Sequence, residues 1–99
     1  MSFVTTQPEA LAAAANSLAG IGSTLNARNA AAQASTTGVV PAAADEVSVL
    51  TAAQFAAHAQ MYHQVSAQAS AIHEMFVATL NNSATTYAAA EAANAVAAG

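Results

Sequence analysis

From Ala42 through Ala98 the sequence contains neither glycine nor proline, the two residues that most reliably interrupt a helix. Roughly a third of the whole chain is alanine, the strongest helix former. A stretch so free of breakers predicts a long second helix, and everything upstream has to accommodate it. Asp45 is a good N-cap for that helix, and Glu46 suits the positive end of its dipole. Phe55, His58, Tyr62, Val65, Ala69, Ile72, Phe76 and Leu80 form one continuous stripe along it. Val47, Leu50, Gln54, Ala57, Met61, Gln68 and Met75 form a weaker stripe beside the first. Two stripes make an apolar arc wider than one neighbouring helix requires.

The first helix is signalled at Thr6-Gln7-Pro8-Glu9, which fits a capping box in which Thr6 and Glu9 satisfy each other's free backbone amides. Pro8 falls in the first turn, where its missing N–H costs nothing. Leu11, Ala14, Leu18, Ile21 and Leu25 then recur at spacings of three, four, three and four, a heptad-like seam. Gly38-Val39-Val40-Pro41 breaks the pattern, with Gly38 suited to the C′ position. The expected order is therefore helix 1 over about residues 7–37, a hinge over about 38–44, helix 2 from about 45 to 80 or beyond, and a tail over about 81–99. The fold class is all-α. So short a connection folds the helices back as an antiparallel hairpin, with arms of roughly 45 and 50 Å.

Two helices share one seam and enclose no core, so this hairpin leaves a second apolar face in water. Monomers rarely tolerate large apolar patches, and the pattern calls for another pair of helices to cover this one. The low charge reinforces the point. Apolar residues make up 56% of the 99-residue chain, and 6% are charged, against about 25% in an ordinary domain. Arg28 is the sole cation against Glu9, Asp45, Glu46, Glu74 and Glu91, for a net charge of −4. That balance excludes a nucleic-acid footprint and a basic helix held on anionic lipid. Cysteine is absent, so thiol and disulfide chemistry are excluded. The N-terminus lacks the basic and apolar regions of a Sec signal peptide, and no run is long enough to span a bilayer.

Catalytic or metal chemistry finds no support. His58 and His63 are five residues apart, about 140° around a helix, whereas single-helix zinc sites use i, i+4 spacing. His58 lies on the main stripe and is expected to pack or to meet a partner; His63 and His73 are expected at the rim or in solvent. His73 and Glu74 are sequence neighbours and point apart on a helix, so they are no acid/base pair. The serines have no Gly-x-Ser-x-Gly elbow or phosphate loop around them. The chain is read as a non-enzyme with no cofactor and no metal. Phe55, Met61, Tyr62, Met75 and Phe76 are expected as packing or partner contacts, the large side chains of an alanine-rich surface being the natural hot spots.

These features together resemble the PE family of mycobacteria. Pro8-Glu9 stands where that family carries its eponymous Pro-Glu pair. The opening Met-Ser-Phe-Val, the Val40-Pro41-Ala42-Ala43-Ala44-Asp45 segment and the overall length are similar as well. Tyr87-Ala88-Ala89-Ala90-Glu91 resembles the Tyr-x-x-x-Asp/Glu export motif of type VII substrates. Tyr87 and Glu91 are four apart and share one face if the tail is helical. The resemblance covers essentially the whole chain and implies a stand-alone PE domain, secreted or held at the cell envelope. It implies a 1:1 pair with a PPE-family protein, the hairpin completing a four-helix bundle, and export by a type VII (ESX) system. An EspG-type chaperone would be met only through the PPE chain. The expected partner contacts are Leu11, Leu18, Ile21 and Leu25 on helix 1, with Phe55, His58, Tyr62, Val65, Ile72, Phe76 and Leu80 on helix 2. Two alternatives stand beside this reading. One is a self-associating hairpin homodimer, although the hinge lacks the Trp-x-Gly of the small type VII substrates. The other is a part in an outer-membrane solute-uptake assembly.

Overall fold

A computed structural model describes residues 4–99. Met1, Ser2 and Phe3, which begin the family-like opening, lie outside the described residues. Among the described residues there are two helices and no strand: α1, Pro8–Thr37, and α2, Glu46–Ala98. Pro8 opens α1, and the carbonyl of Gln7 accepts the first amides, from Ala10 at 3.1 Å and Leu11 at 3.2 Å. The expected capping box does not form: the amide and hydroxyl of Thr6 both donate to Glu91, far along α2, instead of pairing with Glu9. α1 closes on hydroxyls, with Thr36 Oγ1 donating to Ala32 O and Thr37 Oγ1 to Gln33 O, each at 2.7 Å. Both acceptors lie just before the last turn of α1, which has no basic side chain. Gly38 is not the left-handed cap expected of it. Its amide still donates to Ala34 O at 3.0 Å, and among the described residues only Gly99 has a positive φ.

α2 starts as its sequence predicts. Asp45 Oδ1 accepts the Ser48 amide at 3.1 Å, and Oδ2 accepts the Ser48 hydroxyl at 3.0 Å. The Ser48 hydroxyl and then its amide hold the Asp45 carboxyl below its ordinary value of 3.8. With no breaker to stop it, the helix continues for 53 residues to Ala98.

The helices pack in two compact units, Ser23–Ala71 around the hinge and the residues up to Gly22 together with Ile72–Gly99. Within the hinge unit, Ala52 and Ala59 of α2 are buried, and the helices are tied antiparallel by side-chain hydrogen bonds. Asn29 Nδ2 donates to Ser66 Oγ at 2.7 Å, and Asn26 Nδ2 to Ser70 Oγ at 3.0 Å. Tyr62 donates its hydroxyl to Asn29 Oδ1 at 2.9 Å. Within the terminal unit, Ala15 and Ala84 are buried, with Leu11, Leu18, Val77 and Leu80 half-buried around them.

His73 sets the helix spacing in that terminal unit. Its Nε2 lies 2.6 Å from the carbonyl oxygen of Leu18. A carbonyl only accepts, so that ring nitrogen carries the proton. The ring fits because position 22 is glycine: a Cβ there would stand 2.8 Å from one ring carbon and 2.9 Å from Nε2. Of the two placements expected for His63 and His73, rim or solvent, the rim is the one found. Both are half-buried on the seam, with His63 Nε2 3.4 Å from Thr36 Oγ1, while His58 is exposed. Apart from Val77 and Leu80, seam positions on α2 carry small or polar residues, and an imidazole among them reaches across to the carbonyl of Leu18.

Gly22→Ala is expected to lower stability by about 1–3 kcal/mol through overpacking against His73. Chemical denaturation followed by circular dichroism measures it. Combining it with His73→Ala should recover part of the loss, because the clash is then removed.

Candidate functional site

The residues buried in this chain are all alanines among the described residues: Ala15, Ala52, Ala59 and Ala84. Along α2 the least exposed positions are Ala52, Ala56, Ala59, His63, Ser66, Ser70, His73, Val77, Leu80 and Ala84, alternating steps of four and three. The stripe of large side chains expected from the sequence is a different face. At about 100° per residue it lies roughly 90° around the helix from the seam, Leu80 belonging to both. In the hinge unit Phe55 is 61% exposed, Tyr62 50% and Val65 63%. In the terminal unit Ile72 is 63% exposed, Met75 62% and Phe76 52%.

The seam expected on α1 shifts by part of a turn. Leu11 and Leu18 do face α2, but their neighbours on the seam are Ala15, Gly22 and Asn29. Ala14 is exposed, as are Ile21 and Leu25. Of the eleven apolar and histidine positions expected to meet a partner, then, Leu11, Leu18 and Leu80 are half-buried inside their own chain. Ile21, Leu25, Phe55, His58, Tyr62, Val65, Ile72 and Phe76 present most of their surface outward. Sequence reasoning favoured large residues for every contact and so merged two surfaces. The seven-residue repeat Ala52, Ala59, Ser66, His73, Leu80, Tyr87 was the available sign of the inner one.

The hinge unit also holds an open groove of about 330 Å³, with Val39, Phe55, His58, Tyr62 and His63 among its lining. The rings of Tyr62 and His63 meet edge to face, their centroids 5.5 Å apart. Because its hydroxyl is held by Asn29, Tyr62 is a fixed ring on an otherwise exposed face. No Asp, Glu, Lys or Arg lines the groove, which suits apolar side chains better than an ionic ligand.

At the chain's other end, in the terminal unit, Pro8 and Glu9 line a shallow groove with Ala12, Asn81, Ala84, Thr85 and Ala88. Tyr87 and Glu91 lie on the helical continuation of the same face. Glu91 is half-buried and Tyr87 is 46% exposed. Glu91 Oε1 accepts both the Thr6 amide at 2.8 Å and the Thr6 hydroxyl at 2.9 Å. Sequence reasoning missed this contact because its partners are 85 residues apart. Among the described residues neither helix is long and apolar enough to cross a membrane, and no three metal-binding side chains gather together.

Comparison with known proteins places these features in context. Residues 4–94 match the PE family. The chain is 68% identical over 98 residues to the PE family protein PE13 of Mycobacterium tuberculosis, and the match covers 99% of both chains. It is 61% identical over 95 residues to PE-PGRS family protein PE_PGRS33 of the same species, covering 96% of this chain but 19% of that one. PE-PGRS family protein PE_PGRS8, also from that species, is 59% identical over 95 residues, with 54% of its length covered. The segment therefore spans the whole of one relative and only a fraction of the PE-PGRS proteins.

Because the large side chains point outward, Phe55→Ser and Phe76→Ser are expected to change the stability of the isolated chain by no more than about 0.5 kcal/mol. Ala15→Leu is expected to destabilise it by about 1–3 kcal/mol, since that position has no room to give. Urea denaturation of the three variants checks the assignment of inner and outer faces.

Proposed function

The chain belongs to the PE family, and from that premise we propose that it is a non-enzymatic subunit that pairs with a PPE-family protein and is exported with it by a type VII secretion system. One observation carries the pairing: the chain buries alanines within itself and leaves Phe55, Tyr62, Ile72 and Phe76 at least half exposed. Covering the exposed part of each such side chain is worth about 1–2 kcal/mol. Two helices of a partner laid on this face would complete a four-helix bundle, with Ile21, Leu25, Val65 and His58 contributing at its margins. Leu11, Leu18 and Leu80 would then support the interface from the inner seam. Tyr87 and Glu91 would serve as the export motif on the final turns of α2, and Pro8-Glu9 as the family's signature at the start of α1. An EspG-type chaperone would reach the pair through the PPE chain, and the destination would be the cell envelope or the medium.

Charge placed on the outer face tests the pairing. Ile72→Asp and Phe76→Asp are expected to abolish co-purification with the PPE partner, because a buried unpaired carboxylate costs several kcal/mol. Co-expression followed by size-exclusion chromatography reads the result, and recovery of both variants in an undiminished 1:1 complex would mean another face is used. Tyr87→Ala is expected to leave the complex intact and to stop its appearance in culture filtrate; unchanged secretion would remove Tyr87 from the export motif.

A further inference from the structure

Thr6 lies before the first turn of α1, yet both of its donors end on one atom near the end of α2. Its amide and its hydroxyl reach Glu91 Oε1 at 2.8 and 2.9 Å, and both residues are half-buried within the terminal unit. Neither bond uses Oε2. The contact also continues a pattern, because Ala84, Tyr87 and Glu91 extend the steps of three and four that mark the inner seam of α2. Pro8, Glu9 and Ala12 face Asn81, Ala84 and Ala88 across a shallow groove in the same unit. The turn that begins α1 and the turn that carries Tyr87 and Glu91 are thus neighbours, and Thr6 is the hydrogen-bonded link between them.

We propose that Thr6 is a positioning residue for the Tyr87–Glu91 element, so that the surface read by the export machinery is built from both ends of the chain. The inference rests on the export reading above and adds a residue to it. A glutamate on an open helix samples many rotamers, and a reader must order it on binding. Here two hydrogen bonds fix the carboxylate beforehand through Oε1, leaving Oε2 for a donor on the reader. Tyr87 stands one helical turn away on the same face. The matching reader surface is a hydrogen-bond donor, cationic or neutral, beside an apolar pocket wide enough for a phenol ring. A reader of a bare Tyr-x-x-x-Glu sequence would not sense Thr6; a reader of the fixed carboxylate would.

The test uses the full chain co-expressed with its PPE partner in a mycobacterial host, with the culture filtrate compared against the cell pellet. Thr6→Val removes the hydroxyl donor at nearly constant shape, and is expected to cut the exported fraction about tenfold, the scale of one lost hydrogen bond to a charged group. Thr6→Ser keeps the donor and is expected to restore export. Helicity and co-purification should be unchanged in both, which separates positioning from folding. Hydrogen exchange gives an export-independent reading: the Thr6 amide should be protected in the parent chain and lose that protection in Glu91→Ala. Wild-type or increased export of Thr6→Val, in a background where Tyr87→Ala is retained in cells, would overturn the positioning role while leaving the motif in place. An unprotected Thr6 amide would overturn it as well. Normal export of both Tyr87→Ala and Glu91→Ala would instead remove the export reading itself, and this inference with it.

Discussion

Two helices can approach closely only where the side chains between them are small, and this chain depends on that condition throughout. Among the described residues the buried ones are alanines, and a histidine ring occupies space that a Cβ at position 22 would fill. Close approach brings polar groups of one helix within bonding distance of the other. His73 reaches the carbonyl of Leu18, and Asn26 and Asn29 reach Ser70 and Ser66. Alanine faces slide easily against each other, because a methyl group has little shape to interlock. The hydrogen bonds supply the directionality that alanine lacks. They fix which turn of α1 meets which turn of α2 in each unit, the same task that a single buried polar residue performs in a coiled coil.

The same condition decides what faces outward. A seam too narrow for phenylalanine sends Phe55 and Phe76 to the other side of the helix, and the chain then carries most of its large apolar side chains where they do not support its own fold. The residues buried within the chain and the large apolar residues left exposed are therefore different sets. Large outward side chains can vary without loosening the inner seam.

Helix existence, the hinge and the start of α2 were legible because they are written in local chemistry. Proline, glycine and a capping aspartate act within a few residues of where they stand. The facing of the helices was less legible. The rule that large apolar residues make the contacts places Phe55, Ile72 and His58 on one stripe and His63 and His73 at the rim or in solvent, whereas the seam takes His63 and His73 and leaves Phe55, Ile72 and His58 exposed. On α1 a single position separates the expected Ala14 from the buried Ala15, and among consecutive alanines hydrophobicity cannot choose between them. The Thr6 cap shows a third limit. A local pattern offered Glu9 as the partner, and the fold supplied Glu91, whose carboxylate can accept both Thr6 donors at once. Local rules rank local partners, and a competitor 85 residues away appears only when the helices are in place.

The relatives add a constraint on where function can lie. The matched segment spans nearly all of PE13 but 12–54% of the PE-PGRS proteins it resembles. A segment that recurs both alone and within much longer chains must hold its own shape without help from the additional sequence. The interactions described here meet that requirement. The Gly22–His73 fit, the Asn–Ser bonds and the Thr6–Glu91 link all fall within residues 4–94. The outward face of Phe55, Tyr62, Ile72 and Phe76 falls within the same span. In this chain the matched segment is a two-helix element with most of its large apolar side chains left outward.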